Sequence, residues 1–161
     1  MNTPATDTVV RSSIVVEGPI DQAFSVFTDG IGTWFPPEYN ILGVDIAERV
    51  FEPRVGGDIY DRGVDGSECR WGRVLEYEPP TRLVFGWRLS PSFEVESDDE
   101  KTSEVEVRFI TEGPASTRLE LEHRHLDRHG DGWEHTRDAI AGEGGWGFCL
   151  QRFAARIADA S

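Results

Sequence analysis

One amphipathic segment near the end of the chain constrains the fold more than any other feature. Between Trp133 and Ala158 the sequence reads WEHTRDAIAGEGGWGFCLQRFAARIA, and its second half carries an apolar stripe. The stripe consists of Trp146, Cys149, Leu150, Phe153 and Ile157. Their spacing places them on one face of an α-helix. Because such a face needs an apolar surface to cover, we expect this helix to pack on a sheet formed by the preceding chain.

Most of the preceding chain has the pattern of β-strands separated by turns. A first strand is predicted at 9–16, and others follow at 45–52, 57–63, 68–78, 81–89, 103–112 and 116–126. The links between the later strands are short, which predicts antiparallel neighbours. Three strands alternate clearly, with charge at most of their outward positions. Their predicted inward residues are Leu83, Phe85, Trp87, Leu89, Val105, Val107, Phe109, Leu119, Leu121, His123 and His125.

Two short helical segments are predicted between the first two strands. Pro19 suits the first turn of the first helix, and Asp21 suits the positive end of its dipole. The second segment lies around Trp34 and Phe35. A chain of 161 residues with this order of elements predicts one α+β domain over 9–161, preceded by a flexible tail over residues 1–8. The expected architecture is a curved antiparallel sheet of about seven strands, with the long C-terminal helix over its concave face.

The charge of the chain argues against two classes of partner. With 30 acidic and 16 basic residues the net charge is −14, which repels nucleic acid and anionic membranes. No apolar run approaches the roughly 18 residues of a membrane-spanning helix, and the N-terminus lacks a signal-peptide core. We therefore expect a cytoplasmic protein. Cys69 and Cys149 are expected to be free, buried thiols, and the acidic 94–100 loop is expected to be solvated.

Motifs that would indicate a particular chemistry are sparse. His123 and His125 have the spacing of a metal-binding pair on a strand, but no carboxylate lies at a matching position, so we expect no metal and no other cofactor. The glycines of 142–147 match G-x-G-x-x-G without the preceding strand that a dinucleotide site requires, so we expect them instead to let the helix approach the sheet closely or bend. No serine or cysteine nucleophile motif is present. Arg73 and Glu76 are candidate polar anchors of a cavity, or surface residues.

Five segments carry a resemblance to a known group: FEPRVGG (51–57), ECRWGRVLEYEPPTRLVFGW (68–87), TSEVEVRF (102–109), STRLELEH (116–123) and GGW (144–146). Together with the order of elements, they resemble the SRPBCC superfamily, which has a START-like, helix-grip fold. Within it, the chain is similar to the branch related to the activator of heat-shock-protein-90 ATPase and to polyketide cyclase-like proteins. The resemblance implies a cavity between the sheet and the C-terminal helix. Members share this cavity rather than one chemistry.

The resemblance and the aromatic inward faces favour a domain that binds a small, largely apolar or aromatic molecule in that cavity. The predicted ligand-binding residues are Trp34, Phe35, Trp71, Phe85, Trp87, Phe109, Leu121, His123, Trp146, Leu150 and Phe153. His123 is either a hydrogen-bonding or acid–base group for the ligand, or a core histidine satisfied by its neighbours.

Two other functions remain open at the level of sequence. One is a cavity-based enzyme of the polyketide cyclase or hydrolase kind, with His123 as its catalytic candidate. The other is a protein-interaction module that acts on a chaperone, as the family resemblance implies. Pairing into a homodimer through a sheet edge is compatible with the strand pattern.

Overall fold

A computed structural model describes residues 8–36, 42–90, 92 and 94–160. The predicted flexible tail therefore lies outside the described residues except for Thr8. The strands are β1 (Val10–Val16), β2 (Ile46–Phe51), β3 (Asp58–Gly63), β4 (Glu68–Glu78), β5 (Arg82–Trp87), β6 (Ser103–Gly113) and β7 (Ser116–Arg124). The helices are α1 (Ile20–Thr28), α2 (Ile31–Trp34), α3 (Trp133–Ala141) and α4 (Trp146–Ala160). Among the described residues, two short 3-10 helices span Asp99–Lys101 and Leu126–His129.

The seven strands form one antiparallel sheet in the order β1-β7-β6-β5-β4-β3-β2, as the short links predicted. Alternation sets the inner face: Leu83 lies opposite Val107, and Phe85 lies opposite Val105. These four side chains are almost completely buried. The sheet curls around α4, so the predicted α+β, helix-grip architecture is confirmed.

The C-terminal helix differs from the prediction because it is broken into α3 and α4. The apolar stripe of α4 is buried as expected, from Trp146 to Ile157, whereas α3 has no fully buried residue. The break lies at 142–145, where Gly145 packs directly against the backbone of Ile140. A Cβ added at Gly145 would lie 1.9 Å from the Ile140 carbonyl oxygen, so a glycine is required at this close approach.

Bulges in the sheet place Arg73 and Glu76 on the outer face. The register shifts on both sides of β4, between Ile59 and Tyr60 and between Val74 and Glu76. Arg73 consequently lies opposite Asp58, with Arg73 Nε 3.9 Å from an Asp58 carboxylate oxygen. Glu76 is exposed and pairs with Arg82. Of the two interpretations offered for this pair, the surface position is the one observed.

The outer face carries a network of charged side chains centred on Glu106. Its carboxylate is almost fully buried and accepts hydrogen bonds from Arg82 (2.6 Å), Arg124 (2.6 Å) and Arg108 (3.1 Å). Burial by itself would raise the pKa of Glu106, but the three guanidinium groups outweigh it and lower the pKa to about 2. This network replaces apolar packing on the solvated side of the sheet.

A buried ion pair ties the end of α2 to the sheet. Arg49 on β2 donates to both carboxylate oxygens of Asp61 on β3, at 2.6 and 3.1 Å. Arg49 also donates to the backbone carbonyls of Phe35 and Pro36, each at 3.1 Å, and Asp61 accepts from the Trp71 indole at 3.1 Å. Because every charged group here has hydrogen-bonded partners, the cost of burying the pair is offset.

Two further expectations concern the cysteines and the presence of a membrane-spanning helix. Cys69 and Cys149 are free and buried, as predicted. Burial raises the pKa of the Cys69 thiol to about 11, so this thiol stays protonated at neutral pH. Among the helices that the structure describes, none has the length and apolar character needed to cross a membrane.

Candidate functional site

The aromatic residues predicted to bind a ligand separate into two groups along the inner face. Trp34, Phe109 and Phe153 gather around Phe27 of α1, with ring centroids 4.8, 5.7 and 5.5 Å from the Phe27 ring. All four are almost completely buried, and the Trp34 indole donates to the Val26 carbonyl at 3.1 Å. This group forms the packed core beneath α1, α2 and α4.

The second group, which we call the aromatic cluster, comprises Phe35, Trp71, Trp87, His123 and Trp146. Phe35 stacks on Trp71 with centroids 5.5 Å apart, and Trp87 lies edge-on to Trp71 (5.6 Å) and Trp146 (5.7 Å). The His123 ring contacts Trp87 (5.4 Å) and Trp146 (6.1 Å). Four members are buried, whereas Trp87 is only partly buried. The cluster therefore meets the surface at Trp87.

The remaining predicted site residues are buried in the same hydrophobic core as these two groups. Phe85 lies next to the cluster, with its ring 6.4 Å from that of Trp71. Leu121 on β7 and Leu150 on α4 are both almost completely buried within the same hydrophobic core. Sheet and helix thus contribute facing apolar side chains, as the alternation and the helical stripe predicted.

A chain of hydrogen bonds passes through the buried side of the cluster. The Trp146 indole N–H donates to His123 Nδ1 at 3.0 Å. His123 Nε2 lies 2.7 Å from Ser103 Oγ, and the same oxygen lies 2.7 Å from His129 Nε2. Three rings and one hydroxyl are therefore linked in the order Trp146, His123, Ser103, His129, which we call the imidazole chain.

Burial keeps both histidines of the imidazole chain neutral. His123 is completely buried, and this burial, with a smaller effect of nearby His129, lowers its pKa to about 3. Burial also lowers the pKa of His129, partly opposed by the carboxylate of Glu96. Both nitrogens of His123 are occupied, so it can act on a ligand only through Ser103. Of the two interpretations offered for His123, its contacts match a core histidine whose hydrogen bonds are satisfied by its neighbours. Those neighbours are Trp146 and Ser103.

Two ring nitrogens near the cluster have no hydrogen-bond partner among the described residues. One is His129 Nδ1, a buried atom at the end of the imidazole chain. The other is the indole of Trp87, for which no hydrogen bond to any described residue is present. Trp87 lies directly opposite Ser103 in the pairing of β5 with β6, so their side chains are neighbours on the inner face. Trp87 and His129 are thus both neighbours of Ser103.

His125 does not share the inner face with His123, contrary to the prediction. Strand β7 ends at Arg124, and His125 is exposed with a left-handed backbone (φ 61°) at the start of the 3-10 helix Leu126–His129. The turn that moves His125 outward brings His129 back toward Ser103. Within the described ranges, no three His, Cys, Asp or Glu side chains lie close enough together to hold a metal ion.

Ser103 and His129 are candidate site residues that were not predicted from the sequence. Alternation along β6 contains a signal for Ser103, since it has the same parity as inward-facing Val105, Val107 and Phe109. No periodicity indicates His129, because it follows a strand in a single 3-10 turn. Its position depends on the left-handed residue His125, which sequence patterns rarely reveal.

A separate cleft of about 500 Å³ lies on the outer face of the sheet. Its charged and polar lining includes Arg11, Ser13, Glu106, Arg108, Glu120 and Glu122. Glu106 in this cleft is already bound by three arginines, and Arg11 pairs with Glu122. The cleft therefore does not suit the apolar ligand that the inner face favours.

A curled seven-stranded sheet that encloses a C-terminal helix, with aromatic rings between them, defines the helix-grip class of domain. The chain belongs to the family described as Activator of Hsp90 ATPase homolog 1-like protein, whose profile matches residues 17–158. The family and the fold expected from the sequence are thereby confirmed. A comparison with curated protein sequences found no significant match.

Three solved structures illustrate what the chain is similar to. The anthrahydroquino-gamma-pyrone synthase Txn09, complexed with SUM, is 40% identical over 96% of this chain and 100% of its own, with a TM-score of 0.69. The self-sacrificing resistance protein CalC from Micromonospora echinospora is 31% identical over 96% and 97%, with a TM-score of 0.71. Protein NE0264 from Nitrosomonas europaea is 16% identical over 95% and 96%, with a TM-score of 0.67, a likeness of fold alone.

Proposed function

We propose that this domain binds a small, largely apolar aromatic molecule between the sheet and the start of α4, against the aromatic cluster. The observation that carries the proposal is the position of Trp87. Its partly buried ring continues a buried group of aromatic rings to the surface, and its indole N–H has no partner among the described residues. A flat aromatic ligand would extend this edge-to-face packing and cover Trp87.

The relatives are consistent with a ligand of this kind. Txn09 is named as a synthase of an anthrahydroquino-gamma-pyrone, a fused-ring aromatic compound. At 40% identity over the full length of that chain, the two proteins share the fold on which the proposed ligand surface lies. The proposal for this chain is binding of a fused-ring aromatic molecule, and it is independent of whether the molecule is then converted.

Titration with tetralin, an apolar bicyclic hydrocarbon, tests the proposal. Proton–nitrogen correlation spectra resolve the indole N–H groups of the five tryptophans. We expect saturable shifts centred on Trp87 and Trp146, and binding at least about tenfold weaker in Trp87→Ala. The matched control is Trp133→Ala, since Trp133 is also partly buried but lies on α3 beneath Arg137. Binding that is unsaturable, or equally weakened by both substitutions, would refute the proposed site.

Catalysis at the same site is a second candidate function, favoured by Ser103. Its hydroxyl lies 2.7 Å from two imidazole nitrogens, an arrangement suited to moving a proton during ring closure of a polyketone. The test is the rate of aromatic product formation from a synthetic poly-β-ketone thioester, followed by absorbance. A rate that equals that of buffer, or that Ser103→Ala leaves unchanged, would exclude this function.

A further inference from the structure

We propose that His129 is the polar recognition residue of this site, donating a hydrogen bond from Nδ1 to a carbonyl or phenolic oxygen carried by the aromatic ligand. This inference rests on the proposed binding function and adds the chemical class of the ligand, an oxygenated rather than a purely hydrocarbon ring system. Neither the position of His129 in the sequence nor the family description indicates such a role.

The direction of every hydrogen bond in the imidazole chain follows from its first member. An indole nitrogen can only donate, so His123 Nδ1 must be the unprotonated nitrogen of a neutral ring. His123 then carries its proton on Nε2 and donates it to Ser103 Oγ. The two imidazole nitrogens are the only partners of Ser103 Oγ among the described residues, and His123 Nε2 is already protonated, so the hydroxyl proton can be donated only to His129 Nε2. Neutral His129 is consequently left with its proton on Nδ1.

That Nδ1–H group is the one unsatisfied end of the imidazole chain. The atom is buried, with no partner among the described residues, and an unsatisfied buried donor is unfavourable. A ligand oxygen that accepts from this group would remove the cost. The arrangement also fixes the ring, since the Ser103 bond and the 3-10 helix Leu126–His129 hold it in place.

The neighbourhood of His129 defines what the partner must be. Ser103, which binds His129, lies opposite Trp87 in the sheet, so His129 lies at the edge of the aromatic cluster. A partner at this position must offer an acceptor oxygen attached to a ring that packs on Trp87. The carboxylate of Glu96 is close enough to affect the pKa of His129 but forms no hydrogen bond with it. A ketone or phenol is therefore favoured over a carboxylate ligand, which Glu96 would repel.

The first test needs no ligand. Long-range proton–nitrogen spectra of the four histidine rings at neutral pH distinguish the two neutral tautomers. We expect His123 to carry its proton on Nε2 and His129 to carry its proton on Nδ1. In Ser103→Ala, His129 should lose this preference and average between tautomers. A proton on His129 Nε2 in the unaltered protein would overturn the inference whatever ligands bind.

The second test compares α-tetralone with tetralin, two probes that differ by one carbonyl oxygen. Their affinity ratio is measured in the unaltered protein, in His129→Phe and in the control His135→Phe, whose exposed residue lies on α3. Comparing ratios cancels the difference in hydrophobicity between the probes. One hydrogen bond corresponds to a ratio that falls about three- to tenfold in His129→Phe. We expect His135→Phe to leave it unchanged.

The outcomes separate this inference from the function on which it rests. Binding of both probes, with a ratio that changes less than about twofold in His129→Phe, would overturn the role of His129 and leave the binding site standing. Failure of both probes to bind would overturn the proposed function together with this inference. A selective loss of the preference for α-tetralone in His129→Phe would support both.

Discussion

Trp146 is the residue that sets the chemistry of its neighbours, because its indole N–H can only donate a hydrogen bond. It fixes the tautomer of His123, and through Ser103 it fixes that of His129. Trp146, which belongs to the apolar stripe of α4, therefore has a second role besides packing. Burying a fully paired histidine costs little, whereas the same ring without partners would be strongly unfavourable.

Replacing this donor tests its role directly. In Trp146→Phe, His123 Nδ1 loses its partner and a small void is left, so we expect the free energy of unfolding to fall by about 2–4 kcal/mol. The tautomer of His123 should also cease to be fixed. Urea denaturation gives the first quantity and nitrogen chemical shifts give the second. Trp133→Phe on α3 is the control and should cost under about 0.5 kcal/mol; equal losses in both variants would contradict the assignment.

At the scale of the elements, helices α3 and α4 are separated by a turn in which the backbone of Gly145 lies against that of Ile140. The turn between them is possible because Gly145 lies against the Ile140 carbonyl, where there is no room for a side chain. Once turned, α3 rests on the surface with no fully buried residue, while α4 buries its stripe in the sheet. The missing side chain of Gly145 is therefore a steric requirement, which is stricter than a need for flexibility.

Two alanine substitutions separate this requirement from ordinary helix propensity. Gly145→Ala would force a Cβ into the Ile140 backbone, so we expect a loss of about 1–3 kcal/mol in the free energy of unfolding. At Gly147, inside α4, an added Cβ would have no neighbouring atom within 4 Å. Gly147→Ala should therefore stabilise the protein by up to about 1 kcal/mol. Chemical denaturation measures both, and a destabilised Gly147→Ala variant would contradict this account.

The junction between α2 and the sheet depends on the buried pair of Arg49 and Asp61. In Asp61→Asn the shape is kept but the Arg49 guanidinium loses its counter-charge, so we expect a cost of about 3–5 kcal/mol. Glu48→Gln, which neutralises the carboxylate partner of the more exposed Arg62, is the control and should cost under about 1 kcal/mol. Thermal and urea unfolding report both. Similar costs in the two variants would show that burial of the pair has no special importance.

For the molecule as a whole, stability depends on pH through His123. Unfolded His123 takes up a proton below about pH 6.5, whereas the folded side chain stays neutral until about pH 3. Unfolding therefore binds an additional proton in this window, and stability falls as the pH drops through it. The slope from this residue is at most about 1.4 kcal/mol per pH unit.

The contribution of His123 to this dependence of stability on pH can be isolated by comparing the unaltered protein with the His123→Gln variant across this range. His129 and carboxylates such as Glu106 also titrate in acid, but they are present in both proteins, so we assign the difference between the two slopes to His123. We expect the variant to be less stable at neutral pH but less sensitive to acid. Parallel curves would contradict a buried, neutral histidine. His135→Gln, on exposed α3, should follow the unaltered protein.

The predictability of this protein differs from one part to another for physical reasons. Alternation placed Leu83, Phe85 and Val107 correctly because a one-residue slip would expose a whole strand face. Bulges defeat the same rule in β4, where Arg73 changes sides. His125 left the predicted inner face because a single residue adopted a left-handed backbone.

The order of the elements, the inner faces of the strands and the apolar stripe of α4 could all be predicted from the amino-acid sequence, since each follows from a local period and the need to bury apolar surface. The directed chain of Ser103, His123, His129 and Trp146 became visible only in the folded molecule. Those residues come from β6, β7, a 3-10 turn and α4, and no local pattern encodes a hydrogen bond between distant elements. The proposed recognition at this site therefore depends on how the sheet curls around its last helix.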